Sequence, residues 1–148
     1  MIKDPQYLLN RSQLLNAIRN FFSSKNIIEL DTPFLKKNGG MEPYLDPFKV
    51  NSPNGEEGYL ITSPEYSLKE ATSILRNQAI AGVYELAHAF RSGEKGELHT
   101  KEFLMLEFYL INQTEIDLIH LCMDLFLALN KVFSKNIFIP ANSQIITM

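Results

Sequence analysis

Apolar residues recur near helical spacing at the start of the chain. Leu8, Leu14, Leu15, Ile18, Phe21 and Phe22 fall on one side of residues 8 to 25, with Arg11 and Arg19 on the polar side, so an amphipathic helix is predicted there. The next segment, NIIELDTPFL, reads as a short strand ended or kinked by Pro33, because proline donates nothing to a sheet ladder and is confined to edges and ends. Such an edge suits a contact between two copies. Residues 36 to 58 are rich in Gly, Pro and Asn and read as a loop around one short strand near Phe48 to Val50. After Gly58, YLITSPEYSLKEATSILRN reads as a strand entering a helix, with Thr62 or Ser63 as N-cap, Pro64 at the first helical position and Glu65 in the first turn.

Two strands follow with a loop between them. In GVYELAHAFR, strand parity puts Val83, Glu85, Ala87, Ala89 and Arg91 on one face and Tyr84, Leu86, His88 and Phe90 on the other. In FRSGEKGELHTKEFLMLEFY the same rule gathers Phe103, Met105, Glu107 and Tyr109 on one face of the second strand, and Leu104, Leu106, Phe108 and Leu110 on the other. The all-apolar face is expected to be the core face. An antiparallel pairing of the two strands would bring Glu85, Arg91, Glu107 and Tyr109 to a common surface. A closing amphipathic helix is predicted over residues 114 to 133, opened by Thr114 with Glu115 and Asp117 in its first turn and with Cys122 and Met123 as core positions.

The chain has 148 residues, 45% hydrophobic and 21% charged, which suits one globular domain burying roughly 68 to 70% of its unfolded surface. Its net charge of −3 provides no general basic field for nucleic acid or an anionic membrane. One cysteine, Cys122, forms no internal disulfide, and no apolar run approaches a membrane span, so a cytoplasmic protein is expected.

The common face has a chemistry of its own. Arg91 presents a planar fork of donors suited to a carboxylate or phosphate, and Lys95, His99 and Lys101 lie in the loop within reach of a polyphosphate. Phe103 offers a ring for a base to stack on. Glu107 with Tyr109 supplies one charge and one neutral acceptor, a set suited to an ammonium group. The simpler alternative is a surface hairpin whose arginine and glutamate pair with each other, with Glu85, His88 and His120 structural.

In order, NIIELDTPFL, GGMEPYLDPF, YLITSPEYSLK and FRSGEKGELHTKEFLMLEFY resemble motifs 1 and 2 of the class II aminoacyl-tRNA synthetases of the lysyl type. More narrowly they resemble the lysyl-tRNA synthetase paralogues that ligate (R)-β-lysine to elongation factor P. The resemblance implies an α+β fold, an antiparallel sheet with flanking helices, and a single catalytic-core domain over 1–148 that lacks motif 3. It implies ATP with Mg2+, activation of lysine or (R)-β-lysine as an adenylate, and transfer to a lysine of elongation factor P. By the same resemblance Pro33 sits at a homodimer interface and Arg91 grips the α-phosphate and the substrate carboxylate. Glu94 and His99 lie on the ATP side, Phe103 stacks on adenine, Glu65 takes the amino group, and Glu107 with Tyr109 takes the side-chain ammonium.

This chain departs from that pattern in two ways. It has HTKEFL where the family has HNPEFT, and Glu97 where the family has arginine, so the loop is less basic. Its closing stretch, NKVFSKNIFIPANSQIITM, holds no glycine-rich arginine motif; the metal-binding carboxylates are expected in the family's second half, and a purified chain is expected to show little pyrophosphate exchange by itself. A second chain supplying the rest, a relic, and a non-catalytic domain that binds a nucleotide, an amino acid or a partner all remain open. Lysylation of tRNA is disfavoured by the acidic net charge and by the absence of an oligonucleotide-binding barrel before motif 1.

Overall fold

A computed structural model describes residues 4–39, 45–93, 96 and 99–133. The chain divides into two compact units, one formed by Met1–Ser24 with Gln113–Met148, the other by Lys25–Asn112.

The first unit holds two helices that pack on each other, α1 (Pro5–Ser24) and α3 (Glu115–Phe133). Helix α1 starts three residues earlier than periodicity alone predicts. Asp4 Oδ1 accepts the Gln6 amide hydrogen at 2.9 Å and Pro5 takes the first helical position, where a missing N–H costs nothing. The buried stripe of α1 is Ile18, Phe21 and Phe22, while Leu8 is 49% exposed, so the predicted apolar side is buried only in its second half. Helix α3 is opened by Thr114 as predicted. The Thr114 amide and hydroxyl both donate to Asp117 Oδ2, at 2.8 and 2.7 Å, and Thr114 Oγ1 accepts the Asp117 amide hydrogen at 3.3 Å, a reciprocal capping box. These bonds hold the Asp117 carboxyl below its ordinary range. Leu121 and Leu125 are buried; Met123, an expected core position, is 41% exposed because it falls outside their stripe.

The second unit holds the strands. Its larger sheet has the order β1 (Ile27–Glu29), β5 (Gly82–Phe90), β6 (Glu102–Leu110), and its smaller sheet the order β2 (Leu35–Lys36), β4 (Glu57–Leu60), β3 (Lys49–Asn51). The smaller sheet and the β5–β6 ladder are antiparallel, as expected. Strand β1, however, runs parallel to β5, with Ile27 opposite Gly82 and Glu29 opposite Tyr84, so the larger sheet is mixed. The reason lies in connectivity. Between β1 and β5 the chain makes the whole smaller sheet and helix α2 (Glu65–Leu75), a crossover long enough for parallel pairing.

Helix α2 packs on β5 and β6 and buries Leu68. Its N-cap position is Pro64, which has no capping side chain, rather than Thr62 or Ser63. The Pro64 carbonyl already accepts the first helical bond, from the Leu68 amide at 3.0 Å, and Ser63 Oγ accepts the Glu65 amide hydrogen at 3.3 Å from one residue further out. No helix among the described residues is long and apolar enough to cross a membrane.

Candidate active site

The register of β5 with β6 decides which side chains share a face. Val83 stands opposite Tyr109, Glu85 opposite Glu107, Ala87 opposite Met105 and Ala89 opposite Phe103. Directly opposed residues point to the same side of a sheet, so the predicted common surface exists. Its β5 half is the buried one. Val83, Ala87 and Ala89 are 0% exposed and Glu85 is 2% exposed, whereas Leu86 and Phe90 on the other face are only half-buried, as are Leu104, Leu106, Phe108 and Leu110 of β6. Both faces of β6 are half-buried, and Tyr84 on the other face of β5 is 2% exposed, so burial within this unit singles out neither face of β6.

At one end of the surface stands Arg91, immediately after β5. Its amide donates to the Lys101 carbonyl at 2.9 Å and closes the ladder. Its Nε donates to the Thr62 carbonyl at 3.2 Å, and its guanidinium carbon lies 5.1 Å from the centre of the Phe103 ring. The turn beyond is held by Asp46, whose carbonyl accepts from the Ser92 amide at 2.8 Å and the Ser92 hydroxyl at 3.1 Å. A Cβ on Gly93 would lie 2.7 Å from Asp46 Oδ2, so a bare backbone is needed at that close approach. His99 is exposed, with its amide donating to the Gly96 carbonyl at 3.2 Å. Glu94 and Lys95 lie outside the described residues.

The acidic groups gather at the other end. The Tyr109 hydroxyl donates to Glu107 Oε1 at 2.8 Å. Burial, the Glu107 hydrogen bond, and the charges of Glu107 and Glu65 together push the Tyr109 phenol well above its ordinary value. That places Glu65, at the start of α2, within electrostatic reach of Tyr109. Lys69, one turn further along α2, forms an ion pair with Glu65; the Glu65 hydrogen bond chiefly, with Glu107 contributing charge, raises the Lys69 ammonium pKa. The first turn of α2 therefore stands over the Glu107–Tyr109 surface. Below it, Glu85 accepts the Thr32 amide hydrogen at Oε1, 3.0 Å, and the Thr32 hydroxyl hydrogen at Oε2, 2.9 Å.

The two histidines read as structural, and Pro33, stand apart from this surface. His88 bonds Glu102 through Nδ1 at 2.8 Å on the opposite face, and His120 lies on α3 in the other unit. Pro33 is exposed, four residues beyond the end of β1. A cleft of about 410 Å3 beside α2, lined among others by Lys36, Tyr59, Thr62, Ser63 and Tyr66, borders the site through Thr62 and contains none of the predicted residues. Among the described residues no group of three His, Cys, Asp or Glu side chains could hold a metal ion.

Thr32, Asp46, Thr62 and Lys69 are the site's supports that periodicity and parity did not find. Only Lys69 carried a legible signal, its i, i+4 spacing from Glu65.

The arrangement can hold a phosphate or carboxylate at Arg91, a planar base against Phe103, and a cation near Glu107 and Tyr109. Comparison with known proteins bears on that combination. The chain is 39% identical over 107 residues to the elongation factor P–(R)-β-lysine ligase of Buchnera aphidicola subsp. Acyrthosiphon pisum (strain Tuc7), an alignment covering 69% of this chain and 32% of that protein. It is 38% identical over 114 residues to the ligase of the same name from Buchnera aphidicola subsp. Schizaphis graminum (73% and 33% covered), and 37% identical over 107 residues to that of Edwardsiella ictaluri (strain 93-146) (69% and 32% covered). The chain spans about one third of the length of these curated relatives. The family described as tRNA synthetases class II (D, K and N) matches residues 3–148, nearly the whole chain, and the fold is α+β; the chain belongs to that family.

Proposed function

We propose that this chain contributes the ATP-side and amine-side surfaces of an ATP-dependent ligase that activates lysine or (R)-β-lysine as an adenylate, for transfer to a lysine of elongation factor P. The observation that carries the reading is the order of groups along one face. Arg91 and Phe103 stand together, and the Tyr109–Glu107 hydrogen-bonded pair stands on the same face of β6, its glutamate four residues further along. At roughly 3.3 Å per residue that separates the strand positions by about 13 Å, a span that two long side chains and an extended lysine fill.

In this reading Arg91 holds the substrate carboxylate against the α-phosphate, with His99 and Glu94 on the ATP side and adenine on Phe103. Glu65 receives the amino group, and Glu107 with Tyr109 the side-chain ammonium. A carboxylate oxygen attacks the α-phosphorus and the bond to pyrophosphate breaks; an amine then attacks the acyl carbon of the mixed anhydride, the acyl–phosphate bond breaks and AMP leaves. The protein's part is positioning and compensation of the charge that builds on the phosphate. Names of the aligned relatives support elongation factor P as the acceptor in preference to tRNA, and a cytoplasmic setting fits a chain with one free thiol. Pro33, exposed beside the outer strand β1, is read as part of a homodimer interface.

Calorimetry with the chain and each ligand tests the site. ATP should bind, and both lysine and (R)-β-lysine should bind far better than norleucine, which lacks the side-chain ammonium. Equal affinity for lysine and norleucine would overturn the assignment of Glu107 and Tyr109. Light scattering tests the interface: a dimer is expected, and a clean monomer at tens of micromolar would remove Pro33 from that role.

A further inference from the structure

Glu85 is the feature of this surface that the proposed chemistry does not use. It is 2% exposed, and among the described residues its carboxylate is held by one partner alone, with each oxygen accepting one hydrogen from Thr32. It also stands directly opposite Glu107 in the ladder. Directly opposed like charges destabilise an antiparallel pair, and an ionised carboxylate deprived of water costs several kcal/mol unless compensated. Two neutral donors satisfy the lone pairs of Glu85 without cancelling its charge. Glu85 thus stands on the face that carries Glu107 and over which α2 places Glu65, the partner of Lys69.

We propose that Glu85 is a specificity-determining residue of the amine site, a buried second carboxylate whose charge acts through space with Glu107 to select a cationic side chain. It touches no substrate atom. Thr32 holds the carboxylate rigid, so its field is fixed before any ligand arrives and no reorganisation is needed on binding. This inference rests on the reading of Glu107 and Tyr109 as the ammonium site and explains how that site distinguishes lysine from an uncharged isostere beyond a single ion pair.

The test compares lysine with norleucine in the full chain. Glu85→Gln keeps an oxygen for the Thr32 amide and an NH2 group for its hydroxyl, and removes the charge alone. Binding of lysine should weaken about ten- to thirtyfold, the effect of one unit charge over roughly 8 to 12 Å at an effective dielectric of about 20, while norleucine is unaffected. Thr32→Val, which keeps the charge and loses one bond, should leave the lysine-to-norleucine ratio unchanged. An unchanged ratio in Glu85→Gln overturns the inference and leaves the ammonium site standing. An equal fall of the ratio in Thr32→Val also overturns it, in favour of a purely structural bridge. If the unsubstituted chain shows no preference for lysine, the ammonium reading falls and the inference with it. Should Glu85→Gln fail to fold, carboxyl-carbon NMR of the unsubstituted chain decides: lysine, and not norleucine, should shift the Glu85 side-chain carboxyl resonance, and no shift overturns the proposal.

Discussion

Arg91 lies across Phe103, with its guanidinium carbon 5.1 Å from the ring centre, so the phosphate-side cation and the ring proposed to stack on a base form one unit. A cation over a ring face at an exposed site is worth about 0.5 to 1 kcal/mol, and a base stacked on an aromatic side chain about 1 to 3 kcal/mol. Phe103→Leu should therefore weaken ATP binding by about 1 to 3 kcal/mol in calorimetry and leave lysine binding nearly intact. Unaltered ATP affinity would take the ring out of base recognition.

The Glu107 carboxylate is oriented by the 2.8 Å bond that it accepts from the Tyr109 hydroxyl. Replacing it by glutamine keeps the shape and removes the charge. Glu107→Gln should cost about 1.5 to 3 kcal/mol in lysine or (R)-β-lysine binding, the range for hydrogen bonds to charged groups, with ATP unaffected. Equal losses for both ligands would mean that the residue supports the whole surface instead of the amine.

Alkaline stability reports on Tyr109. Its pKa is raised above the ordinary tyrosine value of 10.0, first by burial and then by Glu107, so the folded state keeps the phenolic proton more tightly than the unfolded chain does. The resulting stabilisation is complete below that value and is lost as pH rises from there toward the folded pKa. Urea midpoints should fall as pH rises from about 10 to about 12, and fall less in Tyr109→Phe. Parallel declines in the two proteins would contradict the perturbed phenol.

The start of β5 depends on a missing side chain. A Cβ at Gly82 would lie 2.3 Å from the Tyr109 carbonyl oxygen, on backbone that has no room to move without opening the ladder. Gly82→Ala should destabilise the protein by about 1 to 3 kcal/mol, the usual cost of overpacking, measured by chemical denaturation. A fully stable variant would show that the β5–β6 register is softer than its nine pairs imply.

What the sequence determined alone was local and periodic. Period-two alternation placed Glu85, Arg91, Glu107 and Tyr109 on one surface, because a strand's side chains must alternate. The apolar spacing, helped by Thr114, marked the helices, since an amphipathic stripe needs no knowledge of what covers it. The tertiary structure decided what depends on contacts between distant segments. Parallel pairing of β1 follows from a crossover whose length, not any single residue, permits it. The bonds from Thr32 to Glu85, 53 residues apart, and from Arg91 to the Thr62 carbonyl, 29 residues apart, have no local pattern to announce them. Burial of Glu85 has the same origin: alternation separates two faces, but what covers either of them depends on where elements such as α2 come to rest, here over the face that carries the carboxylates.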